Sequence, residues 1–274
     1  MTFDYAEQRL NNKDYYRAIT EFKRYSFFGR DVYLREKSRY NIGLCYLRGG
    51  EYKNARSQFE MLYYDKKNPF SELALLSLGD VDLFSEIEQV KVHESYFFNK
   101  PHFDTLNYIR YMKNYPLGEY YSEAYTKLTL AALLNFNFKM SYDLVNRADA
   151  KEWKKEHARI MEELPSLLKQ ASQVPERSET FATILSIFIP GSGQIYAGEV
   201  KEGLLALGVN ALFLTACIYT YTNYSKFLGI FLGYYELSFY IGNIQNAAWA
   251  VEKYNENARN CFRSRVIDLY IKRF

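Results

Sequence analysis

Cysteine and histidine are both scarce, at three residues each in a chain of 274, and their placement excludes several chemistries. Cys45, Cys217 and Cys261 are far apart, odd in number and without CxxC spacing. They predict free thiols, with neither a disulfide framework nor a zinc site. His93, His102 and His157 are scattered, and no His, Cys or carboxylate cluster has metal-ligand spacing. A GxSxG elbow, a phosphate loop and a dinucleotide fingerprint are also missing; the glycines around Ser192 lack the Lys and Ser/Thr that a phosphate loop needs. His93 and Glu94 are the one conceivable acid–base pair, and adjacent residues on a helix point in different directions. The expectation is no enzyme, with no catalytic, cofactor-binding or metal residue and no cofactor.

An excess of one charge is missing as well. The net charge is +3, and the 27 basic residues up to Thr180 stand against 26 acidic ones. That balance carries no electrostatic footprint for DNA or RNA, so nucleic acid is excluded as a partner. Thr2, Phe3, Asp4 and Tyr5 do not begin a basic and then apolar run, so no secretory signal is expected in the chain as it stands. A signal encoded upstream of Met1 would alter that reading.

Aromatics are abundant, with 27 Tyr and 20 Phe, which suits helix-pair packing and membrane interfaces, because Tyr buries a ring and keeps its hydroxyl wet. A mean hydropathy of -0.35 hides two environments. Charges are dense up to about Arg177 and sparse from Phe181 to Val251.

In the charged part, Tyr40, Ile42, Gly43, Leu44 and Tyr46 precede a Gly49-Gly50 turn, which Tyr52, Ala55, Phe59 and Leu62 follow. Small Gly43 and Ala55 would let two antiparallel helices approach, while Ile42, Tyr46, Phe59 and Leu62 fill the seam. Tyr16, Ala18, Ile19 and Phe22 repeat the second-helix pattern, Ala18 and Phe22 lying 37 residues before Ala55 and Phe59. This pattern resembles the tetratricopeptide repeat. A third unit, degenerate, has Leu75, Leu78 and Gly79 in its first helix and an irregular partner through Ile87 and Val90. A fourth has Leu106, Ile109 and Met112, a break at Pro116, then Tyr121, Ala124, Tyr125 and Leu128. The stretch from Asn114 to Ala124 is similar to inter-repeat segments of repeat-containing lipoproteins of outer-membrane assembly. The resemblance implies a curved helical solenoid whose concave face takes a protein partner. A charged helix through Trp153, Ile160, Leu164 and Leu167 is suited to cap it, and residues 172–178 read as a linker.

In the apolar part, residues 203–225 contain no charge and residues 227–251 a single acid, Glu236. About 20 helical residues span a hydrocarbon core of roughly 30 Å. The two segments read as a transmembrane hairpin, with Gly229 and Gly233 spaced for close packing. Glu236 and Asn210 form a candidate intramembrane polar site; alternatively Glu236 reaches water or bonds across to Asn210 or Asn223. Asn243, Gln245, Asn246 and Asn255 read as interhelical hydrogen-bonding groups. Residues 181–198 form a half-inserted segment, with a third crossing as the alternative, in which Gln194 could bond carbonyls freed at the Pro190-Gly191 turn. From Lys253 to Phe274 six basic and two acidic residues accompany Phe262, Val266, Tyr270 and Phe274 at every fourth position. This predicts an amphipathic basic tail helix, on an anionic membrane surface or packed back on the repeats.

Pro190, Gly191, Gly193, Gln194, Tyr196 and Gly198 form a PGxGQxYxG pattern that resembles small bacterial membrane domains related to the two-transmembrane-helix domain family, often joined to tetratricopeptide repeats. The predicted architecture is all-α: a repeat solenoid over residues 1–172, a linker over 173–180, a membrane domain over 181–252 and the tail over 253–274. The resemblance implies a scaffold or adaptor of the bacterial inner membrane, in envelope assembly or membrane-protein biogenesis. Its repeats are expected in the cytoplasm, or in the periplasm given an upstream signal. Its expected partners are a protein on the repeats, membrane lipid, and a second copy through the hairpin. A small transporter or channel subunit using Glu236 is the alternative.

Overall fold

The computed structural model describes residues 2–92, 100–149 and 153–270. These form thirteen helices and, among the described residues, no strand. Two compact units divide the described residues: one takes those up to Ser172, apart from Lys100, together with residues 266–270, the other residues 173–265 and Lys100. His93 and Glu94 lie outside the described residues.

The first unit contains α1 (Phe3–Asn11), α2 (Tyr15–Phe28), α3 (Val32–Arg48), α4 (Tyr52–Tyr64), α5 (Ser71–Val92), α6 (Leu106–Asn114), α7 (Tyr121–Leu134), α8 (Phe138–Arg147) and α9 (Lys155–Ser172). The 37-residue offset extends well beyond Ala18 and Phe22. The rings of Phe3 and Phe22 pack at 5.7 Å, and those of Tyr40 and Phe59, each 37 residues later, at 5.6 Å. Buried Ala6 and Leu10 correspond in the same way to Gly43 and Leu47. Gly43 leaves space that a methyl group would lose, since a Cβ there would sit 2.5 Å from the Phe59 ring. Tyr46, expected in that seam, instead packs with Ile42 and Cys45 against the cluster built on Phe3, Ala18 and Phe22.

The turns repeat as faithfully as the seams. Lys13 (φ 60°) and Gly50 (φ 78°) are both left-handed, and the next amide in each case bonds five residues back: Asp14 N to Arg9 O at 3.0 Å, Glu51 N to Tyr46 O at 2.8 Å. This closes the last carbonyls of one helix while reversing the chain into the next. Phe136 (φ 57°) makes the same turn between α7 and α8, with Asn137 N bonded to Ala132 O at 3.0 Å. A second turn recurs between pairs. Residues 65–70 and 115–120 share one pattern: Asn68 N to Asp65 O (2.9 Å) and Ser71 N to Asn68 O (3.1 Å), against Gly118 N to Tyr115 O (3.0 Å) and Tyr121 N to Gly118 O (3.1 Å).

The third and fourth expected units are re-divided by the structure. The partner of Gly79 is not an irregular stretch through Val90, because α5 continues unbroken to Val92. It is Tyr108 on α6, whose ring a Cβ at Gly79 would meet at 2.5 Å. On α6 the buried side is Asn107, Tyr108 and Tyr111, while Leu106 and Ile109 are exposed. The aliphatic pattern misplaced this face because the two tyrosines and Asn107 bury with partners for their polar atoms: Tyr108 OH donates to Asp80 (2.8 Å), Tyr111 OH to Glu72, and Asn107 Nδ2 to Asp82 (2.7 Å). Lys127 on α7 is also buried, its Nζ 2.8 Å from Asp80 and 2.6 Å from Glu123.

The second unit contains α10 (Glu179–Phe188), α11 (Ser192–Tyr196), α12 (Val200–Asn223) and α13 (Lys226–Tyr270), the last shared with the first unit from Val266. The tail expected as a separate element is the last part of α13, which no proline or glycine interrupts after Gly242. Its apolar side, Phe262, Val266, Ile267 and Tyr270, is buried, and Tyr270 OH donates to Glu163 of α9 at 2.5 Å. Of its basic residues, Arg263 is itself buried and bonded to buried Glu256 at 2.9 Å, Arg259 bonds Glu256 and Glu176, and Arg265 is exposed; Lys272 and Arg273 lie outside the described residues.

Candidate functional site

The residues of the PGxGQxYxG pattern converge on one knot of backbone and side chain. Ser178 caps α10, accepting Phe181 N on its side chain at 3.2 Å. After α10, Pro190 ends the helix and Gly191 takes φ 86°. A Cβ on Gly191 would lie 1.9 Å from the carbonyl oxygen of Gly203, and one on Gly203 would lie 2.5 Å from Gly191 O. Two backbones therefore touch where α11 meets α12. Gly193 is enclosed as tightly, its absent Cβ 2.3 Å from Ala182 O and 2.6 Å from the Ala247 methyl. Gly198 (φ 93°) reverses the chain into α12, with Glu199 N bonded to Gln194 O at 2.9 Å.

A chain of hydrogen bonds with a fixed direction runs through this knot. Gly193 N donates to Ser186 Oγ (3.0 Å), which donates to Gln194 Oε1 (3.3 Å). Gln194 Nε2 then donates to Asn243 Oδ1 (2.7 Å) and to Asn243 O (3.0 Å) on α13. Gln194 was expected to serve carbonyls freed at the turn. It does not: Ile189 O accepts Ser192 N and Ser192 Oγ, and Ile187 O accepts the hydroxyl of Tyr240. The second half of the pattern is anchored by Arg177, which sequence reasoning missed. Its Nη1 donates to Tyr196 O at 2.6 Å, its guanidinium lies 3.7 Å from the centre of the Tyr254 ring, and its backbone exchanges two bonds with Asn255 at 2.8 and 2.9 Å. Arg177 stands outside the pattern and reads in the sequence as one more charged residue of the linker.

α12 and the first half of α13 lie side by side in opposite directions. Gly229 meets Tyr221 near the turn, the Phe213 and Phe239 rings pack at 5.1 Å, and Glu199 pairs with Lys253 at 2.7 Å. Gly233, paired with Gly229 in the sequence reading, has nothing within 4 Å of its absent Cβ and takes no part in this contact. Among the described residues one helix, α12, is long and apolar enough to cross a membrane, with a mean hydropathy of 1.7 over its most apolar stretch and 17% of that stretch buried. Phe188 on α10, Leu205 and Leu212 on α12, and Phe227 and Ile230 on α13 are also exposed.

The bonds expected across this pair are absent. Asn210 Nδ2 bonds Ala206 O of its own helix at 2.7 Å, and Asn223 Nδ2 bonds Tyr219 O at 3.1 Å. Glu236 Oε2, Asn210 Oδ1 and Asn243 Nδ2 are buried atoms without a hydrogen-bond partner. Gln245 and Asn246 are exposed. Asn210 and Glu236 border one cavity of about 510 Å³ with Phe188, Pro190 and Tyr240. On another side, Asn210, Asn243 and Gln194 border a second cavity of about 590 Å³. Asn210 thus stands between the two.

We find no match to any protein-family model, curated protein or solved structure. The local chemistry is therefore the ground for a functional reading. Among the described residues no group of three His, Cys, Asp or Glu side chains could hold a metal ion. Cys45, Cys217 and Cys261 are free thiols, and burial pushes the Cys45 thiol up to about 12, which keeps it protonated and inert. Gly43, Ala55 and Phe59 are buried packing residues of the α3–α4 seam. Exposed aromatics remain on the helical pairs: Tyr16, Phe27, Phe28 and Tyr64 are each more than 70% exposed.

Proposed function

We propose that this chain is a membrane-anchored adaptor, not an enzyme: a tetratricopeptide-like solenoid recruits a protein partner, and α12 with the first half of α13 forms a transmembrane hairpin that holds it at the membrane. The observation that carries this reading is the recurrence of one helix–turn–helix unit, seam and turn alike, at a 37-residue offset. Stacked units of that kind leave an extended surface for a partner, and Tyr16 and Tyr64 supply exposed rings of the type enriched at interfaces. The anchor is supported by the apolar, exposed length of α12, which at about 36 Å covers a hydrocarbon core of roughly 30 Å. Tyr219, Tyr221 and Tyr224 near its C-terminal end and Trp249 toward the other end of the pair are placed as interfacial aromatics. A bacterial inner-membrane location with the repeats in the cytoplasm belongs to the same reading.

A second reading, a transporter or channel subunit, is favoured by Glu236 and Asn210 at one cavity, with Glu236 Oε2 and Asn210 Oδ1 unpartnered. Crosslinking and affinity capture from membranes separates the two. For an adaptor, the proteins captured by the full chain are lost from the Tyr16→Ser/Tyr64→Ser variant and kept by Glu236→Gln. Unchanged capture by the tyrosine variant, with activity lost in Glu236→Gln, would transfer the assignment to transport.

A further inference from the structure

Glu236 is the one Asp, Glu, Lys or Arg between Lys226 and Glu252, ten residues from the first and sixteen from the second, or roughly 15 and 24 Å along the helix. With α12 and the first half of α13 in a membrane, its carboxyl lies well inside a hydrocarbon core of roughly 30 Å. A lone carboxylate is costly at that depth unless a cation or a set of donors meets it. The chain supplies neither. Glu236 makes no hydrogen bond or ion pair among the described residues, and no Lys, Arg or His borders the cavity of about 510 Å³ on which it stands. Two other polar groups on that cavity are engaged elsewhere: Tyr240 OH donates to Ile187 O, and Asn210 Nδ2 to Ala206 O at 2.7 Å. Nor is the carboxyl sealed off. Its Oε2 is enclosed, but Oε1, equally unbonded, is not, and the residue as a whole is part-exposed.

The lining decides what kind of cation fits. Phe188 on α10, Leu207 and Leu214 on α12, and Leu237 on α13 make the walls apolar. A hard inorganic cation needs about six oxygen ligands, and one carboxylate among leucines does not provide them. An ammonium group on an apolar body needs one carboxylate for its charge and apolar walls for the rest, and the cavity has the size of a small-molecule site. We infer that this cavity binds a lipophilic amine, held by an ion pair between its ammonium group and Glu236. Such a molecule reaches that depth as the neutral base and takes its proton from the Glu236 carboxyl, so no bare ion crosses the hydrocarbon. The amine is free and not part of a phospholipid headgroup, whose phosphate would have to follow it inward. This inference rests on the membrane placement of α12 and the first half of α13. It asks nothing of the repeats, so its failure leaves partner recruitment untouched.

The test uses the full chain in phosphatidylcholine nanodiscs with a diazirine-bearing dodecylamine, and maps the labelled peptides. We expect saturable labelling on the stretches of α12 and α13 that border the cavity, displaced by dodecylamine but not by dodecanol, which has the same chain without the charge, nor by added phosphatidylethanolamine. Glu236→Gln, incorporated in discs with unchanged helical content, should lose labelling by about tenfold or more, while Gly208→Ala, with open space around its Cβ, should keep it. Equal displacement by dodecanol means an apolar site only and overturns the amine assignment, whatever the variants do. Displacement by phosphatidylethanolamine overturns the assignment to a free amine. Wild-type labelling in Glu236→Gln overturns the ion pair. A chain that enters discs without saturable labelling, the result expected if Glu236 holds a proton alone, overturns only this inference; one that never enters discs overturns the membrane placement and this inference with it.

Discussion

At the scale of single residues, the costliest side chain to place is Lys127. Burial alone would pull its pKa down, but the charges and hydrogen bonds of Asp80 and Glu123 outweigh that and hold it above the usual lysine value. Lys127→Met removes the cation and leaves two carboxylates facing each other inside the first unit, so thermal unfolding followed by circular dichroism should show a loss of about 3–5 kcal/mol. Adding Asp80→Asn and Glu123→Gln to that variant should restore much of it. The glycines of the second unit give a sharper contrast. Gly193→Ala pushes a methyl group against Ala182 O, a backbone atom that cannot rotate away, and should cost about 1–3 kcal/mol or more. Gly233→Ala enters open space and should leave stability within about 0.5 kcal/mol of the parent or raise it.

At the scale of elements, the turn shared by Lys13, Gly50 and Phe136 makes its own prediction. Lys13 is exposed and carries a left-handed backbone that costs a non-glycine residue roughly 1 kcal/mol. Lys13→Gly should therefore raise the denaturation midpoint, and Gly50→Val should lower it. The repeat was legible in part because Ala18, Phe22, Ala55 and Phe59 keep their offset and residue types. The α5–α6 pair was not, because its seam is built from Gly79, Tyr108, Tyr111 and Asn107, whose burial depends on carboxylates on another helix that no periodicity reveals. The charge-free length of α12 was readable as a candidate span. The continuity of α13 was less so, since an apolar half followed by a charged half looks like two elements when the absence of a breaker is given too little weight. In the candidate site, the pattern of small residues and Gln194 marked the right segment, but Asn243, 49 residues from Gln194, and the anchoring of Tyr196 by Arg177, itself held by Asn255 78 residues away, follow only from the fold.

For the whole molecule, acid and alkali act on different units. Burial pushes the Glu256 carboxyl up, but Arg263 and then Arg259 outweigh it and hold it below the usual range. A depressed carboxylate stabilises the fold above the unfolded value of about 4.3 and ceases to do so as pH falls through its folded value. The second unit should lose stability below about pH 4, and Glu256→Gln should show a weaker acid response in the same melt. Lys127 has the opposite sign: its raised value stabilises below about pH 10.4, and that contribution fades as pH climbs through the folded value.

The Arg177–Asn255 and Gln194–Asn243 bonds also set a timetable for synthesis. A chain made from its N-terminus delivers α10 and α11 well before the residues that complete them, which are 49 and 78 positions downstream. During that interval Gln194 and Arg177 have polar groups to satisfy and no α13 to receive them, so the knot cannot close while α12 is being made. Whatever shelters α10 and α11 in the meantime must be exchanged for α13 in a late step, and chains stalled between residues 225 and 243 should be recognisable by α10 and α11 remaining open to protease.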